Sequence, residues 1–210
     1  MANRWTTGRT EAFSDGVFAI AITLLVLDIS VPASDFHDLW RGIANQWPSY
    51  LGYVTSFLTI GGIWMAHHGL FRRMRYADQK VMRLNILLLM VVSFLPFPTR
   101  LVAEAVRDAN SERPAVMLYG FTLLATSVLL SALWHSVLRD RALLNPDVTD
   151  AEIAAFTRLA TPNIGFYVVA TILAWRVPTA TVVLYLVIGA GLVLRAPGDD
   201  QPAAVALPGG

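Results

Sequence analysis

Six times along this chain, apolar sequence runs for roughly the 20 residues that an α-helix needs to cross a bilayer. The runs cover about 10–30, 47–71, 80–99, 114–137, 154–175 and 178–195. Apolar residues make up 55% of the 210 and charged residues only 15%, against about 25% charged in soluble domains. An all-α membrane protein follows: one six-helix domain over residues 1–195, with the lipid bilayer as its solvent. Local signals divide the runs. Pro32 and Pro48 bracket the first loop, and "PFPT" (Pro96, Pro98) reads as the end of the third span. Pro114 suits the first turn of the fourth, Thr149 with Glu152 forms a capping-box pattern ahead of the fifth, and Pro178 separates the last two. The remainder, 196–210, is a Pro/Gly/Ala-rich tail that buries too little to fold and is expected to be disordered. The first run reads as a retained helix instead of a signal peptide, since Asp15 precedes it and "DISVPASDFHD" offers a poor cleavage site.

Charge orients the spans, because short cytoplasmic loops are rich in Arg and Lys. Arg4 and Arg9 precede span one, and Arg72, Arg73, Arg75, Lys80 and Arg83 separate spans two and three. Arg139 and Arg141 follow span four, and Arg195 follows span six. On the opposite side Arg41, the "RLVAEAVRDANSER" loop and Arg176 are offset by Asp35, Asp38, Glu104, Asp108 and Glu112. Both termini are therefore expected in the cytoplasm, with Trp47, Tyr50 and Tyr53 as an outer aromatic belt. A net charge of +1 with no basic cluster gives no nucleic-acid partner, and with no cysteine there is no disulfide, thiolate nucleophile or Cys metal site.

Threaded in this way, the polar residues inside the spans fall at one depth. Span one runs outward with Arg9, Ser14 and Asp15 near its inner end. Span two runs inward and ends near His67 and His68, and span three starts with Arg83 and Asn85. Polar groups in a membrane face the bundle and pair, so a network of Arg9, Ser14, Asp15, one histidine and Asn85 is expected to tie three helices together. Adjacent histidines point about 100° apart, which leaves open whether His67 or His68 joins. The competing reading, interfacial snorkelling, suits Arg9, Arg72 and Arg73 better than Asp15, which is too short to snorkel. Zinc lacks further ligands at suitable spacing, so no metal or other cofactor is expected; haem held between His68 and His135 is a minor alternative. An Asp15–histidine proton relay, as in a proton-coupled secondary transporter, is the main alternative function. No catalytic triad, paired catalytic carboxylates or phosphate loop is present, and an enzyme is not expected.

Within span one, Ile20, Thr23, Leu24 and Leu27 fall at i, i+3, i+4 and i+7 on one face, with Gly16 extending the stripe inward. Asp15 lies on roughly the opposite side. Spacing alone does not distinguish a pore face from a lipid face.

"RTEAFSDGVFAIAITLLVLDI" resembles the first helix of the lysosomal and endosomal potassium channel family called transmembrane protein 175. Its signature, Arg, three residues, then Phe-Ser-Asp, is met by Arg9, Phe13, Ser14 and Asp15. The likeness continues in "IWMAHHGLFRRM" and "RLNILLLMVVSFLPFPT". The resemblance implies a bacterial plasma-membrane homotetramer with the first helices lining a central pore, and potassium, more than other monovalent cations, as the permeant ion. It implies that Ile20 is the hydrophobic constriction, Leu24 and Leu27 further apolar rings, and Thr23 a hydroxyl layer connected with potassium preference. Arg9, Phe13, Ser14 and Asp15, with a span-two histidine and Asn85, would hold the pore helix. Apolar rings gate by dewetting. With no TVGYG-like carbonyl filter in the chain, selectivity is expected to be modest. Asp28 would either concentrate cations at the outer mouth or simply end the helix in solvent.

Overall fold

The computed structural model describes residues 5–106, 109–160 and 162–195. Arg4, Asp108 and the tail 196–210 lie outside the described residues. Helix α1 (Gly8–Leu24) tightens without a break into a 3-10 turn over Leu25–Asp28. A 3-10 turn (Ala33–Asp38) and the short helix α2 (Leu39–Asn45) lead to α3 (Trp47–Arg72). The chain then runs through α4 (Gln79–Phe94), α5 (Pro96–Ala105) and α6 (Ala109–Arg139). It finishes in α7 (Asp150–Ala160), α8 (Pro162–Ala174) and α9 (Pro178–Arg195).

The proline pair of "PFPT" opens α5 instead of ending the span. Leu95 keeps right-handed helical angles, although the residue before a proline usually leaves that region, and so Gln79–Ala105 continues as one apolar segment of 27 residues. Pro114 likewise sits inside α6, not in its first turn. Much of what reads as the loop 100–113 is thus helical.

Among the described residues, three segments are long and apolar enough to cross a membrane: Gly8–Asp28, Gln79–Ala105 and Asn110–Arg139. Ile164–Ala174 and Pro178–Leu194 are shorter apolar helices. Helix α3, at 26 residues and 1.5 Å each, has the length, but its Thr, Ser, Gly and His residues lower its hydropathy. The reason is its position. It packs against α9, α5 and α1, so its small and polar residues face protein, while Val54 and Phe57 are among the few large apolar side chains it leaves exposed.

Small residues allow that packing. A Cβ on Gly62 would lie 2.6 Å from Leu192 Cβ, and one on Gly189 would lie 2.6 Å from Thr59 Oγ1. Lipid is as apolar as leucine, so close van der Waals approach replaces hydrophobic drive between membrane helices.

The α1, α3 and α4 ends are also joined by backbone. Strand β1 (Trp5–Thr6) pairs antiparallel with β2 (Tyr76–Ala77), Trp5 opposite Ala77 and Thr6 opposite Tyr76. Asn145 clasps the same turn from the other side, its N–H donating to Arg73 O and its Nδ2 to Arg72 O, each at 2.9 Å. No pattern in the sequence signals this two-residue sheet. Because successive long helices alternate in direction, the start of α1 and the end of α9 share one end of the bundle, with the α3–α4 and α6–α7 turns.

Candidate functional site

Helix α1 has two faces with different uses. Thr10, Ser14, Phe18, Ala21 and Leu25 are buried at spacings of three or four that make one stripe. At the inner part of this stripe a directional hydrogen-bond chain is built. Ser14 Oγ donates to Thr10 O at 2.8 Å and accepts from Asn85 Nδ2 at 3.0 Å. Asn85 Oδ1 then accepts from His67 Nε2 at 2.8 Å, which places the ring proton on Nε2. The His67 ring stacks on Phe71 at 4.4 Å and tilts against Phe18 at 5.3 Å. Ser14, His67 and Asn85 are each at most 1% exposed, and a buried polar group left without its partner costs about 1–3 kcal/mol. Three helices are thereby fastened in one register.

A second pair of contacts flanks this chain. Trp64 Nε1 donates to Asp15 Oδ1 at 2.8 Å, and His68 Nδ1 stands 3.0 Å from Glu11 Oε1, with the His68 ring stacked on Trp64. Four residues up α1 match four residues down α3, as antiparallel helices require. The structure therefore selects His67 for Asn85 and gives His68 to Glu11. Asp15 meets an indole instead of a histidine; an indole N–H donates and cannot accept a proton, which leaves no direct Asp15–histidine relay. The pairing of Glu11 and Asp15 with His68 and Trp64 was open to detection as two i, i+4 pairs on consecutive helices. Arg9 is exposed and Phe13 is 63% exposed, and neither belongs to the hydrogen-bond chain.

The opposite face of α1 is uncovered in the protomer. Ile20 is 61% exposed, Leu24 42% and Leu27 72%, and Gly16 and Thr23 are exposed along the same stripe. Thr23 Oγ1 donates to Ile20 O at 2.9 Å. With its proton turned back to the helix, the hydroxyl presents lone pairs outward, a face suited to cations. Asp28 ends the 3-10 turn one residue after Leu27, half-buried. His135 Nδ1 is 2.7 Å from the carbonyl of Ser131 in its own helix, and His68 contacts Glu11 and Trp64 through Nδ1 and its ring face. Among the described residues no cluster of three metal-binding side chains occurs.

Comparison with known proteins gives a consistent assignment. Residues 9–96 match the family described as "Endosomal/lysosomal potassium channel TMEM175". A potassium channel of Streptomyces collinus is 46% identical over 154 residues, 73% of this chain and 74% of that protein. A potassium channel of Chamaesiphon minutus is 42% identical over 173 residues, 80% of this chain and 84% of that one. The crystal structure of a lysosomal potassium-selective channel TMEM175 homolog from Chamaesiphon minutus superposes with a TM-score of 0.82 at 37% identity, covering 91% of this chain and 98% of that one.

Proposed function

The chain belongs to the TMEM175 family of potassium channels, and from that membership we propose that four copies assemble around an axis lined by α1 and pass potassium down its gradient. The observation that carries the assembly is the asymmetry of α1: one face is buried and pinned by Ser14, Asn85 and His67, while the stripe Ile20, Thr23, Leu24 and Leu27 has no cover in the protomer. A central axis is the use for that stripe that fits the family.

In this reading Ile20 forms the narrow ring and Leu24 and Leu27 form wider apolar rings. A narrow apolar ring excludes water and bars a hydrated ion until it dilates. Thr23 contributes outward-facing lone pairs between them. Arg9, Phe13, Ser14, Asp15, His67, His68 and Asn85 hold or flank the pore helix. The channel is a multi-pass protein of a bacterial plasma membrane with both termini in the cytoplasm, which puts Asp28 at the outer mouth. It is not an enzyme.

The test is the reversal potential of the purified protein in a planar bilayer with potassium on one side and sodium on the other. A saturating current that reverses in favour of potassium supports the pore; uptake that requires a proton gradient, with no such current, refutes it.

A further inference from the structure

The turn at the end of α1 carries one charge, Asp28, and the helix packed against it carries two, Arg100 and Glu104. Helix α5 packs against the 3-10 turn that Asp28 closes. That helix carries Arg100 and Glu104 on its exposed side, and their opposite charges act on the Asp28 carboxylate in opposite senses. Arg100 Nε donates to Glu104 Oε1 at 2.8 Å, one turn along the helix, and both side chains are 60% exposed.

The position of Arg100 is set by its neighbour. Thr99 Oγ1 donates to Leu95 O at 2.8 Å, so it accepts from Ser56 Oγ at 2.7 Å, which in turn accepts from Tyr119 OH at 2.9 Å. These three buried hydroxyls lock α5 to α3 and α6. With Thr99 held inward, Arg100 lies about 100° round the helix, on the exposed side.

We propose that Arg100 sets the conductance of the outer mouth: steadied by Glu104, its guanidinium offsets Asp28 and trims the enrichment of monovalent cations that Asp28 produces there. The proposal rests on the pore reading, which makes the end of α1 the mouth. Charge at a mouth changes local ion concentration and entry rate, and it does so over a distance that salt controls, about 30 Å at 0.01 M and 3 Å at 1 M. Arg100 is thus a tuning residue for potassium entry; it does not touch the constriction.

The experiment measures potassium current entering from the outer side in symmetric potassium chloride at about 0.01 M and about 1 M. At low salt Arg100→Gln should carry about twice the wild-type current, Arg100→Lys should match wild type, and Glu104→Gln should fall below it. All should converge at high salt. Adding Asp28→Asn to Arg100→Gln should abolish the gain. Arg113→Gln removes a charge from the same end of the bundle but from a side chain that lies over Trp175, and its effect at low salt should be clearly smaller than that of Arg100→Gln. A wild-type current indifferent to Arg100→Gln, or a gain that persists at high salt, overturns the proposal alone. Absence of any wild-type potassium current overturns the pore reading and this proposal with it.

Discussion

Two residues of α1 illustrate how a membrane helix is specified one side chain at a time. Ile20 is defined by its lack of a partner, and Ser14 by having two. Ile20→Asn places an amide in the proposed ring, where it holds water that isoleucine excludes; basal potassium current should rise several-fold, and an unchanged current removes Ile20 from the gate. Asn85→Leu fits the space but strands the His67 Nε2–H, while Ser14 keeps its bond to Thr10 O and loses the one from Asn85. At about 1–3 kcal/mol for each unpaired buried group, it should lower the thermal midpoint in detergent, and an unaltered midpoint counts against the hydrogen-bond chain as an anchor. At this scale the sequence was legible in depth and illegible in direction. Alternating spans put Ser14, Asn85 and the histidines at one level, yet neighbours 100° apart could not be told apart without the packing of Phe18 and Phe71 around His67. Trp64 was missed because an indole within a span reads as an apolar residue, when here it supplies the donor that Asp15 needs.

At the scale of the element, the helices were readable where periodicity and length decide, and least readable at prolines. A proline breaks a helix only if the freed backbone groups find nothing else, and here the Val92 carbonyl that Pro96 cannot serve accepts from Leu95 N–H at 3.1 Å. Glycine permits the close approach of α3 and α9 instead. Gly62→Val would drive a side chain into Leu192, an overpacking of about 1–3 kcal/mol, and should separate α3 from α9 enough to raise hydrogen exchange in both. The start of α7 gives a pH prediction. Thr149 donates to Glu152 through its N–H at 2.8 Å and its hydroxyl at 3.2 Å, and these bonds hold the Glu152 carboxyl below its ordinary range. A carboxylate with a lowered folded pKa stabilises above its unfolded value and loses that contribution as pH falls through the folded value. Wild type should therefore exceed Glu152→Gln slightly in thermal stability above about pH 5, with the gap closing on acidification.

The whole molecule is a TMEM175-family potassium channel protein whose sequence announces a membrane protein through composition alone and gives no sign of how copies would assemble. An apolar stripe is equally at home against lipid or around an axis, and the pore reading of it is the one we propose from membership of the family. The small pairing of Trp5–Thr6 with Tyr76–Ala77 escaped the sequence for a related reason: two residues carry no periodicity. Its placement beside the start of α1 matters mechanically. Clamped there by strand, by Ser14 and by Asp15, and gripped along Phe18, Ala21 and Leu25 as far as the 3-10 turn that packs on α3 and α5, α1 behaves as a beam supported along its whole length. In the pore we propose, the rings of Ile20 and Leu27 therefore move with the bundle behind them, and neither can swing alone.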